Sequence, residues 1–335
     1  RLDRWMQEDT LDIGLSRNGK LVLCPDAAAL AHQMRQVQLQ ARAGALQEVL
    51  SRGACIEREP ALAGYEGFAG GVWTASECSA DPRQYCTALV QAAQRRGLQF
   101  LPGIRVNRFA VQRSKVVALE TQTGLVKADA YVLATGVDAP QLARQLGEHL
   151  PIHPVKGYSL TLGIRESRRA PATSVTDLGH KMVLAPLNGQ LRVAAMAELT
   201  GKDLSIPRER IEQMVRTVRA IYPGLCDFSQ LNAWAGLRPA TPSSLPIVRP
   251  SRIANVFLNA GHGALGFTLA AGCAVGPDYQ RPALEAPAHF NQQAALAVRA
   301  AQTVDSTATS AGWWRLAIGR RWSSTAASTC SRRAP

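Results

Sequence analysis

Gly261, Gly263 and Gly266 stand in G-x-G-x-x-G spacing between an apolar run and a helix-forming stretch, in NVFLNAGHGALGFTLAAG. Glycines at such a turn let backbone N–H groups approach a ligand closely, and the helix start that follows favours negative charge. Strand, glycine turn and helix in that order form the fingerprint of a dinucleotide site. The fingerprint also needs a second strand after the helix. Here the chain runs into VGPDYQRPALEAP, whose prolines cannot continue a βαβ unit. The segment is therefore either a first βαβ unit out of its usual context or a glycine loop of another kind.

Arg238, in AGLRPATP, carries a second candidate chemistry. A carboxylate ligand asks for a planar, permanently charged partner with two parallel donors, which is the guanidinium. An arginine after a strand is also commonly a plain surface residue. Its neighbours Trp234, Gly236, Leu237 and Pro239 favour a constrained, partly buried position. Ala134, Thr135 and Gly136 close the run DAYVLATG with small residues, which either permit close approach of a cofactor or simply end a strand.

Several elements must position these groups. Asp26 is placed to cap a long helix through DAAALAHQMRQVQLQARAGALQEVL, rich in Ala, Leu and Gln and ending near Gly53. Asp81-Pro82 opens a second helix that stops at Gly97. LQFLPG, RVNRFAVQ, KVVALETQTG and LVKADAYVLATG read as successive strands. A short helix around Pro140 to Leu146 precedes the strands PVKGYSLTLGI and KMVLAPLNGQLRVAAMAEL, where Asn188-Gly189 marks a hairpin. Ile206 to Tyr222 is an amphipathic helix that should lie across the sheet. Strands with interspersed helices make an α+β layout without a fixed repeat.

Composition narrows the function classes. With 335 residues, 46% of them hydrophobic, the chain can bury a substantial core. No apolar run reaches about eighteen residues, so no spanning helix is expected. The net charge of +13 is scattered, without a basic stripe or base-stacking aromatics, and no nucleic-acid partner is expected. Seven cysteines show no CxxC or ligand-like spacing. They read as reduced, mostly structural thiols in a cytoplasmic setting, and no metal site is expected.

Five segments in chain order, ADAYVLATG, PVKGYSLTL, AAMAEL, AWAGLRPATPSSLPIV and LNAGHGALGFTLAAG, resemble the D-amino acid oxidase superfamily of flavoenzymes. Within it they are most similar to the small-subunit family of bacterial D-amino acid dehydrogenases. The likeness covers roughly Gly14 to Gly272. It implies an FAD-dependent oxidoreductase that converts D-amino acids to 2-oxo acids and ammonia by hydride transfer to flavin, with a membrane electron carrier of the quinone chain as partner. It implies flavin contacts for Gly261, His262, Gly263, Ala264, Leu265 and Gly266, a cofactor-facing strand end at Ala134, Thr135 and Gly136, and an adenine-side backbone contact at Val106. Arg238 would bind the substrate carboxylate in a cavity walled by Lys156 and Tyr158. The last two fit half-buried packing on an amphipathic strand equally well. Hydride transfer from Cα needs a neutral amine and correct orientation, so no catalytic acid–base pair is assigned and His262 counts through its backbone.

The fold class expected is α+β / α/β, a partial FAD-binding Rossmann-like domain interleaved with an antiparallel-sheet substrate domain. Residues 1–80 would supply substrate-domain strands and a helix, 81–150 part of the FAD-binding domain, 151–235 the substrate-binding domain and 236–272 the C-terminal FAD-binding segment. Two departures from the family stand out. The start at Arg1 lacks the family's strand–GxGxxG–helix unit, which predicts an N-terminally truncated chain that binds FAD poorly by itself. From Cys273, CAVGPDYQRPALEAPAHF resembles the mature start of outer-membrane efflux lipoproteins. Residues 273–335, with seven arginines against three acids, read as a foreign or disordered tail. The alternatives to the enzyme are an efflux lipoprotein component and a non-catalytic truncated remnant. The location expected is cytoplasmic, peripheral on the inner membrane where electrons pass to a membrane carrier.

Overall fold

The computed structural model describes Met6, Gln7 and Leu11–Cys273. Strand β1 (Lys20–Cys24) alternates so that Leu21 and Leu23 are fully buried. Asp26 then accepts from the Ala29 N–H at 2.7 Å and caps helix α1 (Ala27–Ala41). The helix stops well short of Gly53. Gly44 turns the chain at φ +85°, and Glu48–Ser51 becomes β2, paired antiparallel with β3 (Gly70–Thr74). Ser51 in turn caps α2 (Arg52–Arg58). The helix-forming composition of RAGALQEVL thus yields to backbone pairing with a distant strand, a choice that only tertiary context makes.

Asp81 accepts from the N–H groups of Arg83 and Gln84 and caps α3 (Pro82–Arg95), which ends before Gly97 at φ +93°. The stretch LQFLPG, expected as a strand, is irregular, and Leu98, Phe100 and Leu101 are each about half exposed. No described strand pairs with it, and an unpaired strand leaves its backbone groups unsatisfied. Next come β4 (Val106–Gln112), β5 (Lys115–Thr121) and β6 (Gly124–Val126), an antiparallel meander. LVKADAYVLATG divides into two strands. Its first residues belong to β6, and its centre forms β7 (Tyr131–Leu133) in a different sheet.

After α4 (Ala139–Arg144) the chain forms β8 (His153–Ile164), β9 (Ser174–Asp177), β10 (Met182–Leu187) and β11 (Gln190–Glu198). Asn188 and Gly189 both take positive φ, +52° and +72°, as a two-residue hairpin turn of matching twist requires. Helix α5 (Arg208–Ile221) buries Met214, Val218 and Ile221, spaced three and four residues apart, against Leu160, Leu162, Leu191 and Val193 of the sheet. β12 (Cys226–Ala240), β13 (Ile247–Pro250), β14 (Val256–Ala260) and α6 (Gly266–Cys273) complete the order.

Among the described residues the strands form three sheets. The largest runs β12-β8-β11-β10-β9-β1-β3-β2, antiparallel except where β1 meets β9. The second is β13-β14-β7, with β14 and β7 parallel, and the third is the β4-β5-β6 meander. The two smaller sheets share a core of Phe109, Val116, Tyr131, Leu133, Val256 and Leu258. Asn255 joins them by accepting from the Val116 N–H at 2.9 Å and donating to the Val116 carbonyl at 2.8 Å. The described residues up to Ala264 form one compact unit, whereas Leu265 and α6 belong to a second one. The tail expected beyond Cys273 lies outside the described residues. Among them, no helix is long and apolar enough to cross a membrane, and no three His, Cys, Asp or Glu side chains are grouped to hold a metal ion.

Candidate active site

In the parallel pair, Leu133 of β7 lies opposite Leu258 of β14, so both strands end on the same side of their sheet. Ala134–Gly136 leaves one strand there and Gly261–Ala264 leaves the other. The carboxyl ends of adjacent parallel strands are where open α/β sheets bind ligands. Gly261 sits at φ +78°, and a Cβ on it would lie 2.7 Å from Thr241 Cγ2, so a side chain is excluded by both conformation and space. Gly136 and Gly263, both at φ +56°, have nothing within 4 Å of an added Cβ. At these two points the backbone is open to a flat ligand. Leu265 and Gly266 continue the chain into the second unit, Gly266 as the first residue of α6.

The glycine loop is tied to the strand that carries Arg238. The Gly263 N–H donates to the Pro239 carbonyl at 2.9 Å, one residue beyond Arg238 on β12. Arg238 pairs in register with Val155 of β8 and so shares its face with Val155 and Gly157. From there its side chain crosses β8. A Cβ on Gly157 would lie 2.3–2.5 Å from the Arg238 guanidinium atoms, and Arg238 Nη1 donates to the Met196 carbonyl of β11 at 3.1 Å. Met196 stands at φ +65° in a bulge, because Ala195 and Glu198 of β11 face Tyr158 and Lys156, which are only two residues apart on β8. A non-glycine residue held at positive φ is strained, and strain of this kind gathers at ligand sites. Burial lowers the Arg238 pKa from the ordinary guanidinium value.

On the same face Trp234 pairs with Ser159, and Arg192 lies over the Trp234 ring, 5.0 Å from its centroid. A Cβ on Gly236 would meet that ring at 2.5 Å. Gly236 and Gly157 are register partners, so the Arg238 guanidinium and the Trp234 indole lie next to each other on a floor of two glycines.

Lys156 and Tyr158 occupy the other face of β8, because successive side chains of a strand point to opposite sides. The structure therefore separates them from Arg238. Tyr158 is buried in the core under α5 and donates to Glu198 Oε2 at 2.6 Å, and Glu198 is paired with Arg210 at 2.7 Å. Lys156, 1% exposed, donates to Asp203 Oδ2 at 2.8 Å and to the Ser205 carbonyl at 3.1 Å. The Asp203 hydrogen bond raises the Lys156 pKa, and hydrogen bonds from Lys156 and Ser205 hold the Asp203 carboxyl well below its usual range. Val106 begins β4 in the third sheet, opposite Thr121. His262 is half-buried, and burial lowers its pKa.

The family profile of "FAD dependent oxidoreductase" matches residues 1–275. The chain belongs to that family. Among its relatives, a D-amino acid dehydrogenase of Vibrio cholerae serotype O1 is 35% identical over 269 residues, covering 80% of this chain and 64% of the relative. D-amino acid dehydrogenase 2 of Pseudomonas aeruginosa is 39% identical over 273 residues, covering 81% and 64%. The chain thus spans 64% of the length of these curated relatives. The crystal structure of glycine oxidase from Geobacillus kaustophilus superposes with a TM-score of 0.72 at 23% identity, covering 81% of this chain and 72% of that one. L-proline dehydrogenase from P. horikoshii superposes at 0.70 with 19% identity, covering 80% and 72%. The α/β fold with a large antiparallel-rich sheet is that of FAD-dependent oxidoreductases.

Within this family, the two open glycines at the ends of β7 and β14 are residues that fit the edge of a flavin. Three features of the open face escaped sequence reasoning. Gly157 had a signal, since a glycine inside a strand often marks close approach by another group. Trp234 had a weaker one, as an aromatic beside Arg238. Met196 had none, because a bulge is set by two strands together.

Proposed function

We propose that the chain is an oxidoreductase of D-amino acids, converting them to 2-oxo acids and ammonia with FAD. One observation carries the reading. The Gly263–Pro239 hydrogen bond joins the glycine loop at the end of the parallel strands to the backbone next to Arg238, the residue offered for the substrate carboxylate. In this reading Arg238 fixes the substrate carboxylate through a planar charged fork, and Trp234 flanks it. Gly136, Gly261, His262, Gly263 and Ala264 present backbone to the flavin, with Ala134, Thr135, Leu265, Gly266 and Val106 as the family resemblance assigns them. Bound FAD would supply a two-electron acceptor for the hydride leaving the substrate Cα. Water then hydrolyses the imino acid to the 2-oxo acid and ammonia. The eight-stranded sheet is the substrate domain in this scheme, and the two smaller sheets belong to the FAD-binding domain. The resemblance supports a membrane carrier as the next electron acceptor, reached from a cytoplasmic position peripheral to the inner membrane.

The test is D-alanine oxidation by the chain with FAD added, followed by reduction of a soluble dye and by release of pyruvate and ammonia in equal amounts. L-alanine serves as the control. Equal rates with the two enantiomers, or no pyruvate at all, would remove the assignment. The non-catalytic alternative has one observation in its favour: β7, which leads into Ala134–Gly136, is an edge strand of its sheet among the described residues. Pyruvate binding without a protein-bound flavin spectrum would establish that alternative. The efflux reading rests on residues after Cys273 alone.

A further inference from the structure

Arg238 does not simply stand up from its strand. It leaves β12, passes over β8 at Gly157, where there is no side chain, and ends on a carbonyl of β11. Three strands therefore cooperate to lay the guanidinium flat. Gly157 supplies the gap, since even a methyl group there would stand 2.3–2.5 Å from the Arg238 Nη and Cζ atoms. The bulge opposite Gly157 supplies the anchor, because the positive φ of Met196, +65°, goes with a carbonyl that accepts from Arg238 Nη1. A regular ladder would engage that carbonyl in strand pairing, which the register shift between Ala195 and Glu198 interrupts. On the neighbouring strand Gly236 does for the Trp234 ring what Gly157 does for Arg238.

Resting on the function proposed above, we propose that Gly157 and the Met196 bulge are positioning residues for the substrate carboxylate. They act through Arg238, fixing the plane and depth of its fork beside Trp234, and neither needs to touch the substrate. A guanidinium raised by a methyl group would keep its charge but lose its alignment, and misplacement of about 1 Å in a preorganised site costs up to about a hundredfold. Gly157 is thus the determinant of how deep a carboxylate settles. A side chain at position 157 would displace the Arg238 guanidinium on steric grounds without straining the backbone, because Gly157 has an ordinary extended conformation in β8.

The experiment measures pyruvate binding by isothermal titration to the full chain with FAD added, for wild type, Gly157→Ala, Arg238→Lys and the double variant. Wild type is expected to bind, Gly157→Ala to bind about tenfold more weakly or worse, and its thermal midpoint to stay near that of wild type. In the Arg238→Lys background the added methyl should cost less than about twofold, since the group it displaces is gone. A single variant that fails to fold, alongside a double variant that folds, supports the same contact. Wild type that binds and a Gly157→Ala variant that binds equally well would overturn the positioning role while leaving the proposed function in place. An undiminished Gly157→Ala penalty in the Arg238→Lys background would overturn it too. Wild type that binds no pyruvate would overturn the function itself, and the positioning role with it.

Discussion

The two faces of β8 differ by one residue in register and by everything in character. On one face Tyr158, Leu160 and Leu162 are sealed under α5, and the polar ends of Tyr158 and Lys156 are taken up by Glu198 and Asp203. On the other, Gly157 has no side chain, Arg238 lies across the gap, and Met196 holds a strained conformation beside it. On the closed face the buried polar ends of Tyr158 and Lys156 have partners within the protein, as stability demands. The open face brings the Arg238 guanidinium, the Trp234 ring and the strained Met196 backbone together, and strain of that kind gathers at ligand sites. A strand that alternates in this way supports the domain with even-numbered residues, and in the proposed function its odd-numbered face serves recognition.

The largest expected effect is on the open face. Arg238→Lys should raise the KM for D-alanine on the order of a hundredfold, because a point charge cannot replace a buried bidentate fork and a lost partner of that kind costs about 2–5 kcal/mol. The fall in kcat should be smaller than the rise in KM. Steady-state kinetics decide it, and an unchanged KM would erase the functional meaning of the open face.

The closed face should answer the other way. Tyr158→Phe removes a hydrogen bond to a carboxylate and should lower stability by about 1.5–3 kcal/mol, read by urea unfolding, with KM within about twofold of wild type. A large rise in KM with unchanged stability would return Tyr158 to the cavity wall to which the family resemblance assigns its motif.

Much of this was legible in the sequence, for reasons that differ by residue. Asp81-Pro82, Asn188-Gly189 and the glycine loop are local signals, each set by the residue types of a few adjacent positions, and the structure places a helix start, a hairpin and a strand–loop–helix at those points. The face occupied by Arg238 was hidden. Alternation within PVKGYSL puts Lys156 and Tyr158 together, but their relation to Arg238 depends on the pairing Arg238 with Val155, a contact between residues far apart in sequence. The same holds for Glu48–Ser51, which leaves a helix-forming stretch to pair with β3. LQFLPG fails in the reverse sense, since its alternating pattern finds no partner among the described strands.

A smaller effect sharpens the closed face through pH. The folded pKa of Asp203 is depressed by its hydrogen bonds with Lys156 and Ser205, so its contribution is present above the unfolded carboxylate value, about 3.9, and fades as pH falls below it. Asp203→Asn should therefore lower the thermal midpoint at neutral pH, since it leaves a buried ammonium with less compensation. The gap to wild type should narrow below about pH 3.9. A gap that stays constant into acid would mean that the ion pair contributes nothing through charge.

The smallest effect belongs to His262, and it separates recognition by side chain from recognition by backbone. Burial lowers its pKa from the ordinary 6.5, which favours the uncharged imidazole over a charged contact to a ligand. Its neighbours explain what the loop does contribute: Gly261 and Gly263 take positive φ, and the Gly263 N–H is committed to Pro239. A neutral side chain of similar reach can replace the ring without touching that backbone. His262→Gln should therefore keep kcat/KM within about threefold of wild type, with no inflection lost from the pH–rate profile between about pH 6 and 8. Gly263→Ala, by contrast, should cost far more, because it strains a residue at φ +56° and fills the open space beside it. If His262→Gln instead removed an ionisation from the profile, the imidazole would join Arg238 as a side chain that acts on substrate, and the loop could no longer be described as working through its backbone.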